Sequence, residues 1–149
     1  DEFYRECRGD NPATLLRGQT YRILQHSLAA LVTSGTATLE TALFRVPQIV
    51  CYNMKAGWLA NLGKKLLLKV PYISLVNLVA AREVVPELVA ADMTPTNLQG
   101  HLISILPGGS ARKRQLQEYE EVAQKLGEPG APQKAARLMT EYLQQRLRK

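Results

Sequence analysis

The chain has 149 residues, 46% hydrophobic and 21% charged, a globular composition at the size of one domain, with enough apolar surface to bury a core. Its longest apolar runs, such as residues 27–32 and 66–68, are broken by polar or charged residues well short of the roughly 20 that cross a bilayer, which excludes a transmembrane helix. A net charge of +6 favours anionic partners, whether phosphates, nucleic acid or acidic headgroups, and selects none of them.

The opening DEFYRECRGD has neither an initiator Met nor the basic-then-apolar layout of a signal peptide, so a cut from something longer is expected. Residues 13–16 read as a strand. Residues 18–27 follow as a helix, with an approximate stripe of Tyr21, Ile23, Leu24 and Leu28. LAALV at 28–32 is a continuous apolar run that reads as a second strand and ends in the turn-prone TSGT. Residues 37–44 have helical spacing through Leu39, Ala42 and Leu43. Pro47 precedes another apolar, β-branched run, QIVCY, in which Cys51 behaves as a small hydrophobe. Only Cys7 accompanies it, far away, and the pair suits a reducing cytoplasm. Short buried strands alternating with helices of about ten residues predict βαβ units and an α/β fold with a parallel sheet covered on both faces.

Residues 55–69 mix Trp58 and leucines with Lys55, Lys64, Lys65 and Lys69, which predicts a helix entering a last short strand at 72–74. Residues 82–90 suit a further helix with Pro86 in its first turn. From Thr94 the chain reads as a helical tail, 94–149. Thr94-Pro95 caps one helix and Gly108-Gly109 ends it. Ser110 starts a long polar helix ending near Gly127, and EPGAP breaks the chain before a final helix at 133–148. His26 and His101 are isolated from any ligand-spaced partner, so no metal or catalytic role is assigned to them.

The chemistry concentrates at TSGTATLE, where a strand delivers the chain to Ser34-Gly35-Thr36 and a helix starts at once. Free amides at the helix start, the helix dipole, the freedom of Gly35 and the hydroxyls together make an anion site that fits a diphosphate. Glu40, one turn in, can point back and accept hydrogen bonds from vicinal ribose hydroxyls. The alternative is an ordinary capping sequence, with Glu40 favoured by the dipole alone. The segment is neither a Walker loop nor a GxGxxG fingerprint, since no Lys follows the glycine and no second glycine is correctly spaced.

TSGTATLETALFRVPQIVCY at 33–52, paired with YISLVNLVAAREVVPELV at 72–89, resembles the signature of lipid-A-disaccharide synthases, especially those of the Bacteroidetes type. The first block alone is similar to the donor motif of GT-B glycosyltransferases at large, including those using UDP-N-acetylglucosamine, and the second narrows the likeness. The resemblance covers nearly the whole chain but only the C-terminal, donor-binding part of the family. It implies a Rossmann-like parallel sheet of a GT-B C-terminal domain, 1–149, with UDP along the C-terminal strand edges. Ser34, Gly35, Thr36 and Thr38 would then hold the diphosphate and Glu40 the ribose. The backbone around Leu16, Arg17, Gly18 and Gln19 would face the uracil. Tyr52, Asn77, Arg82 and Glu83 would border the donor sugar or an interdomain cleft. Asn77, in an otherwise apolar run, must be hydrogen-bonded to something, a ligand or a turn that it caps. Ala90 stands where many relatives have Gln.

The resemblance further implies an inverting hexosyltransferase that moves a diacylglucosamine unit from UDP-2,3-diacylglucosamine to 2,3-diacylglucosamine 1-phosphate (lipid X). It implies that no cofactor or metal takes part and that the general base comes from a separate N-terminal domain. Without that domain, and without a Gly-Ser-Arg element near the phosphates, this chain is expected to bind weakly and catalyse nothing. A cytoplasmic protein peripheral on the anionic inner membrane is implied, with no nucleic acid and with a homodimer as one arrangement of its C-terminal helices. Trp58 and its lysines suit a headgroup-facing surface, but an ordinary solvated helix with Trp58 in the core fits them slightly better. Two alternatives remain: another GT-B enzyme using UDP-N-acetylglucosamine, and a basic non-catalytic module binding membrane or nucleic acid.

Overall fold

A computed structural model describes residues 2–33, 35–52 and 72–147. Their strands are β1 (Ala30–Val32), β2 (Gln48–Tyr52) and β3 (Glu87–Val89), parallel and in the order β1-β2-β3. The helices are α1 (Glu2–Arg8), α2 (Thr20–His26), α3 (Ala37–Leu43), α4 (Leu75–Ala80), α5 (Pro95–Ile105), α6 (Arg112–Leu126) and α7 (Ala131–Leu147). None of the described helices is long and apolar enough to cross a membrane.

The central strand explains the layering. Side chains of a strand alternate between faces. Val50 joins Ala42, Val76, Ala80, Val84, Val85, Tyr119 and Val122 in one core, beneath α3, α4 and α6. Its neighbours Ile49 and Cys51 point the other way and meet Leu88 and Ile105 beneath α5. Both faces of β2 are therefore covered, which is why QIVCY reads as an unbroken apolar run. The parallel α/β sheet covered on both faces, expected from the alternation, is present and is consistent with the Rossmann-like domain that the resemblance implies. The Thr94 cap is present as well; its hydroxyl accepts from the Asn97 amide ahead of Pro95 at the first turn of α5.

Buried polar groups lock these layers together. The Gln48 backbone amide donates to Gln115 Oε1 at 2.8 Å, and Gln115 Nε2 donates to the Gln48 carbonyl at 3.1 Å. Gln48 Nε2 reaches the Thr38 carbonyl on α3 and the Tyr119 hydroxyl, which itself donates to Gln115 Oε1. Gln48 Oε1 is left without a partner among the described residues, and the two donor contacts dictate that orientation.

Three expectations are corrected. Residues 13–16 form no strand: Leu15 and Leu16 lie about half exposed, and an apolar run with no paired neighbour or covering layer gains nothing from extending. Residues 72–74 are a bend, and α4 follows, capped by Ser74 accepting from the Asn77 amide. Residues 82–90 are a loop and then β3. Pro86 precedes the strand, where its missing N–H is harmless and its carbonyl accepts from the Val50 amide. The Trp58 and lysine segment lies outside the described residues.

Burial pushes the Tyr119 phenol well above its ordinary value of 10, against an opposing hydrogen bond from Gln48. The folded state thus keeps a proton that the unfolded chain releases, so this contribution to stability is complete below pH 10 and declines as pH rises past it. Replacing Tyr119 by Phe is expected to cost about 1–2 kcal/mol at pH 8 and to flatten that decline. In urea unfolding between pH 8 and 11, the gap between the two proteins should narrow; parallel curves would contradict the assignment.

Candidate nucleotide site

The C-terminal edge of the sheet is where the chain leaves β1 for α3. Gly35 adopts φ +68°, and a Cβ there would meet nothing within 4 Å, so the backbone angle demands glycine while the space beside it is open. Thr36 is exposed and caps α3 without a side-chain hydrogen bond, which leaves its hydroxyl uncovered, while the Thr38 amide is taken by the Gly35 carbonyl at 3.3 Å. Ser34 lies outside the described residues. Thr38 departs from expectation. It is fully buried, and its hydroxyl donates to the Gly35 carbonyl at 2.9 Å, so it shapes the loop from beneath and has no hydrogen to offer a phosphate.

Glu40 is half-buried in the first turn of α3. Across from it runs the chain leading into α2, and Gly18, Gln19, Thr20, Tyr21, Arg22 and Glu40 line one open cleft of about 580 Å³. The expected base-facing Gly18 and Gln19 thus meet the expected ribose acceptor. Leu16 lines an adjoining cleft of about 460 Å³ with Gln19, Arg22 and Ile23, and Arg17 lines neither. Thr20, Tyr21 and Arg22 were not anticipated. Arg22 falls one helical turn after Gln19, a spacing that puts both on one face, and Tyr21 had been absorbed into the apolar stripe. The Tyr21 ring stacks on Phe44 with centroids 5.2 Å apart and planes at 22°, docking α2 against the end of α3.

The second expected group divides. Tyr52 ends β2 opposite Val89, half-buried; burial, and then the charge of Glu87, push its phenol upward, so it remains a neutral hydroxyl. Asn77 is fully buried and saturated. Its Oδ1 accepts from the Val84 and Val85 amides at 2.8 and 3.0 Å, and its Nδ2 donates to the Val85 carbonyl and to Glu87 Oε1, both at 2.8 Å. That corrects the expected sugar contact, because no donor or acceptor remains for a ligand. Glu87, passed over in the sequence, also accepts from the Ile73 and Ser74 amides at 2.9 Å each. It joins the start of α4 to β3. Arg82 turns to α6, pairing with Glu121 at 2.8 Å and Glu118 at 3.7 Å, and Glu83 is exposed. Neither lines the cleft beside Glu40.

Asn77→Ala would leave two buried amides and part of a carboxylate without partners, and is expected to cost about 3 kcal/mol or more in urea unfolding. A loss below about 1 kcal/mol would contradict the structural role assigned to Asn77.

A family model described as lipid-A-disaccharide synthetase matches residues 5–141. The chain is similar to the lipid-A-disaccharide synthase of Solibacter usitatus, 38% identical over 95% of this chain and 37% of that protein. It is likewise similar to those of Syntrophus aciditrophicus, 41% identical over 87% of this chain and 34% of the relative, and Anaeromyxobacter sp. strain K, 39% over 82% and 31%. The chain spans about a third of the length of these relatives. Match and identity cover the strand-turn-helix element and the Asn77–Glu87 loop alike, and the chain belongs to the lipid-A-disaccharide synthase family.

Proposed function

We propose that this chain is the donor-binding part of a glycosyltransferase, holding UDP of UDP-2,3-diacylglucosamine at the C-terminal edge of its sheet. The observation that carries the proposal is the shared cleft of Gly18, Gln19 and Glu40, which brings two distant segments of sequence together beside the start of α3. Gly35 and Thr36 would receive the diphosphate through amides and a hydroxyl, Glu40 the ribose diol, and the chain at Leu16, Gly18 and Gln19 the base. Thr38 supports the loop and Asn77 and Arg82 support the framework.

In the whole protein, the 6-hydroxyl of lipid X attacks the anomeric carbon of the donor from the face opposite UDP. The new C–O bond forms as the bond to the diphosphate breaks, so the centre inverts. The acceptor proton passes to a carboxylate supplied by another part of the protein, and negative charge collects on the departing UDP. Amides aimed at that charge lower the barrier, because they need not reorganise as it develops. The neutral Tyr52 hydroxyl, at the same sheet edge, is suited to the donor sugar. A cytoplasmic, membrane-peripheral placement and a second copy belong to the same reading. The exposed stripe of Leu138, Met139, Tyr142 and Leu143 on α7 is a described surface that such a contact would cover.

The test is titration of UDP into the chain, followed by amide chemical shifts. Shifts are expected at Gly35, Thr36 and Glu40, and Glu40→Ala should weaken binding roughly tenfold, as loss of charged hydrogen bonds does. Binding unaffected by Glu40→Ala and falling steeply with salt would instead fit a merely basic surface.

A further inference from the structure

The nucleotide reading leaves Thr20, Tyr21 and Arg22 of the cleft unused. Arg22, with Gln19, lines both the cleft containing Glu40 and the adjoining cleft of Leu16, Ile23 and His26, so it stands at their junction. It is exposed, and its side chain makes no ion pair or hydrogen bond with another described residue. Arg45, Arg82 and Arg112 are by contrast all engaged with carboxylates or carbonyls of the fold. A guanidinium offers five donors and no acceptor in a rigid plane. Next to it, Tyr21 gives the same cleft an aromatic wall held in place by its stack on Phe44.

A ligand anchored by its diol on Glu40 extends toward one side to the diphosphate at Gly35 and Thr36 and toward the other to its base. We propose that Arg22 reads the base: its guanidinium donates to a pyrimidine carbonyl oxygen, with the Tyr21 ring as the adjacent stacking wall. A donor-only group rewards the carbonyl at position 4 of uracil and is opposed by the amino group that cytosine carries there. Arg22 is thus a specificity residue, selecting uridine over cytidine nucleotides, whereas Glu40 serves the ribose that both share. This inference rests on the proposed function and narrows it to base identity.

Parallel titrations of UDP and CDP into the 149-residue chain, read by amide shifts, test it. The parent chain should prefer UDP by roughly tenfold, the equivalent of one charged hydrogen bond gained. Arg22→Ala should bring the two nucleotides to within about twofold by weakening UDP, with unchanged dispersion of the remaining amide signals showing an intact fold. Arg22→Lys, which keeps the charge but loses the planar fork, should recover only part of the preference. Glu40→Ala should weaken UDP and CDP alike. If UDP shifts Gly35, Thr36 and Glu40 but Arg22→Ala leaves the UDP:CDP ratio unchanged, the base-reading role is wrong and the nucleotide site stands. If neither nucleotide shifts those residues, the nucleotide site fails and the role of Arg22 fails with it.

Discussion

The reciprocal amide pair between Gln48 and Gln115 is the contact on which the arrangement turns. One carboxamide imitates a neighbouring peptide group, taking the backbone N–H of Gln48 and returning an N–H to its carbonyl. Gln115 sits in the interior of α6, so this helix is fastened to the start of the central strand as though it were one more strand edge. The Gln48 side chain then bonds the Thr38 carbonyl, and α3 is held by the same group. All three side chains are buried where an unmet hydrogen bond costs about 1–3 kcal/mol, so the layers settle in one register. Glu40, two residues past Thr38, inherits its position from that lock.

A second knot works at the other strand boundary. Glu87 gathers the Ile73 and Ser74 amides and the Asn77 carboxamide, while Asn77 ties down Val84 and Val85. Together they set where β3 begins and hence where it ends beside Tyr52. The charge of Glu87 also helps keep Tyr52 protonated, so a group placed for architecture tunes one at the sheet edge. Arg82 extends the knot to α6 through Glu118 and Glu121. The two networks thus converge on α6, which secures α3 through Gln115 and the Asn77 loop through its glutamates.

The parts of the fold governed by local chemistry were legible in the sequence. β2 announced itself by an apolar β-branched run after Pro47, the turn into α3 by Gly35, and α5 by Thr94-Pro95. What misled were segments whose state is decided by tertiary partners. VVPELV supports a helix as readily as a loop and strand until Asn77 claims the Val84 and Val85 amides. Residues 13–16 have strand composition, yet strand formation requires a neighbour. At the proposed site, Glu40 was legible from its place one turn into α3 and Gly18 and Gln19 from the family likeness alone, whereas Thr38 and Asn77 carry motif positions but are buried and bonded within the fold. Tyr21 reads only as part of the apolar stripe of α2, and Arg22 carries no signal, because nothing in a one-dimensional reading opposes α2 to Glu40.

The cleft is therefore a product of packing: α3 is fixed from below by Gln48, α2 is docked from the side by Tyr21 on Phe44, and the groove between them carries the carboxylate. In the proposed complex a nucleoside lies in this groove with its ribose at Glu40. Intermolecular nuclear Overhauser contacts from bound UDP to the chain test it most directly. Contacts are expected from the ribose protons to the side chain of Glu40 and from the uracil H5 and H6 to Gly18, Gln19 and the Tyr21 ring. Ribose and base contacts confined to α5, α6 or α7, with none to Glu40 or Tyr21, would contradict it.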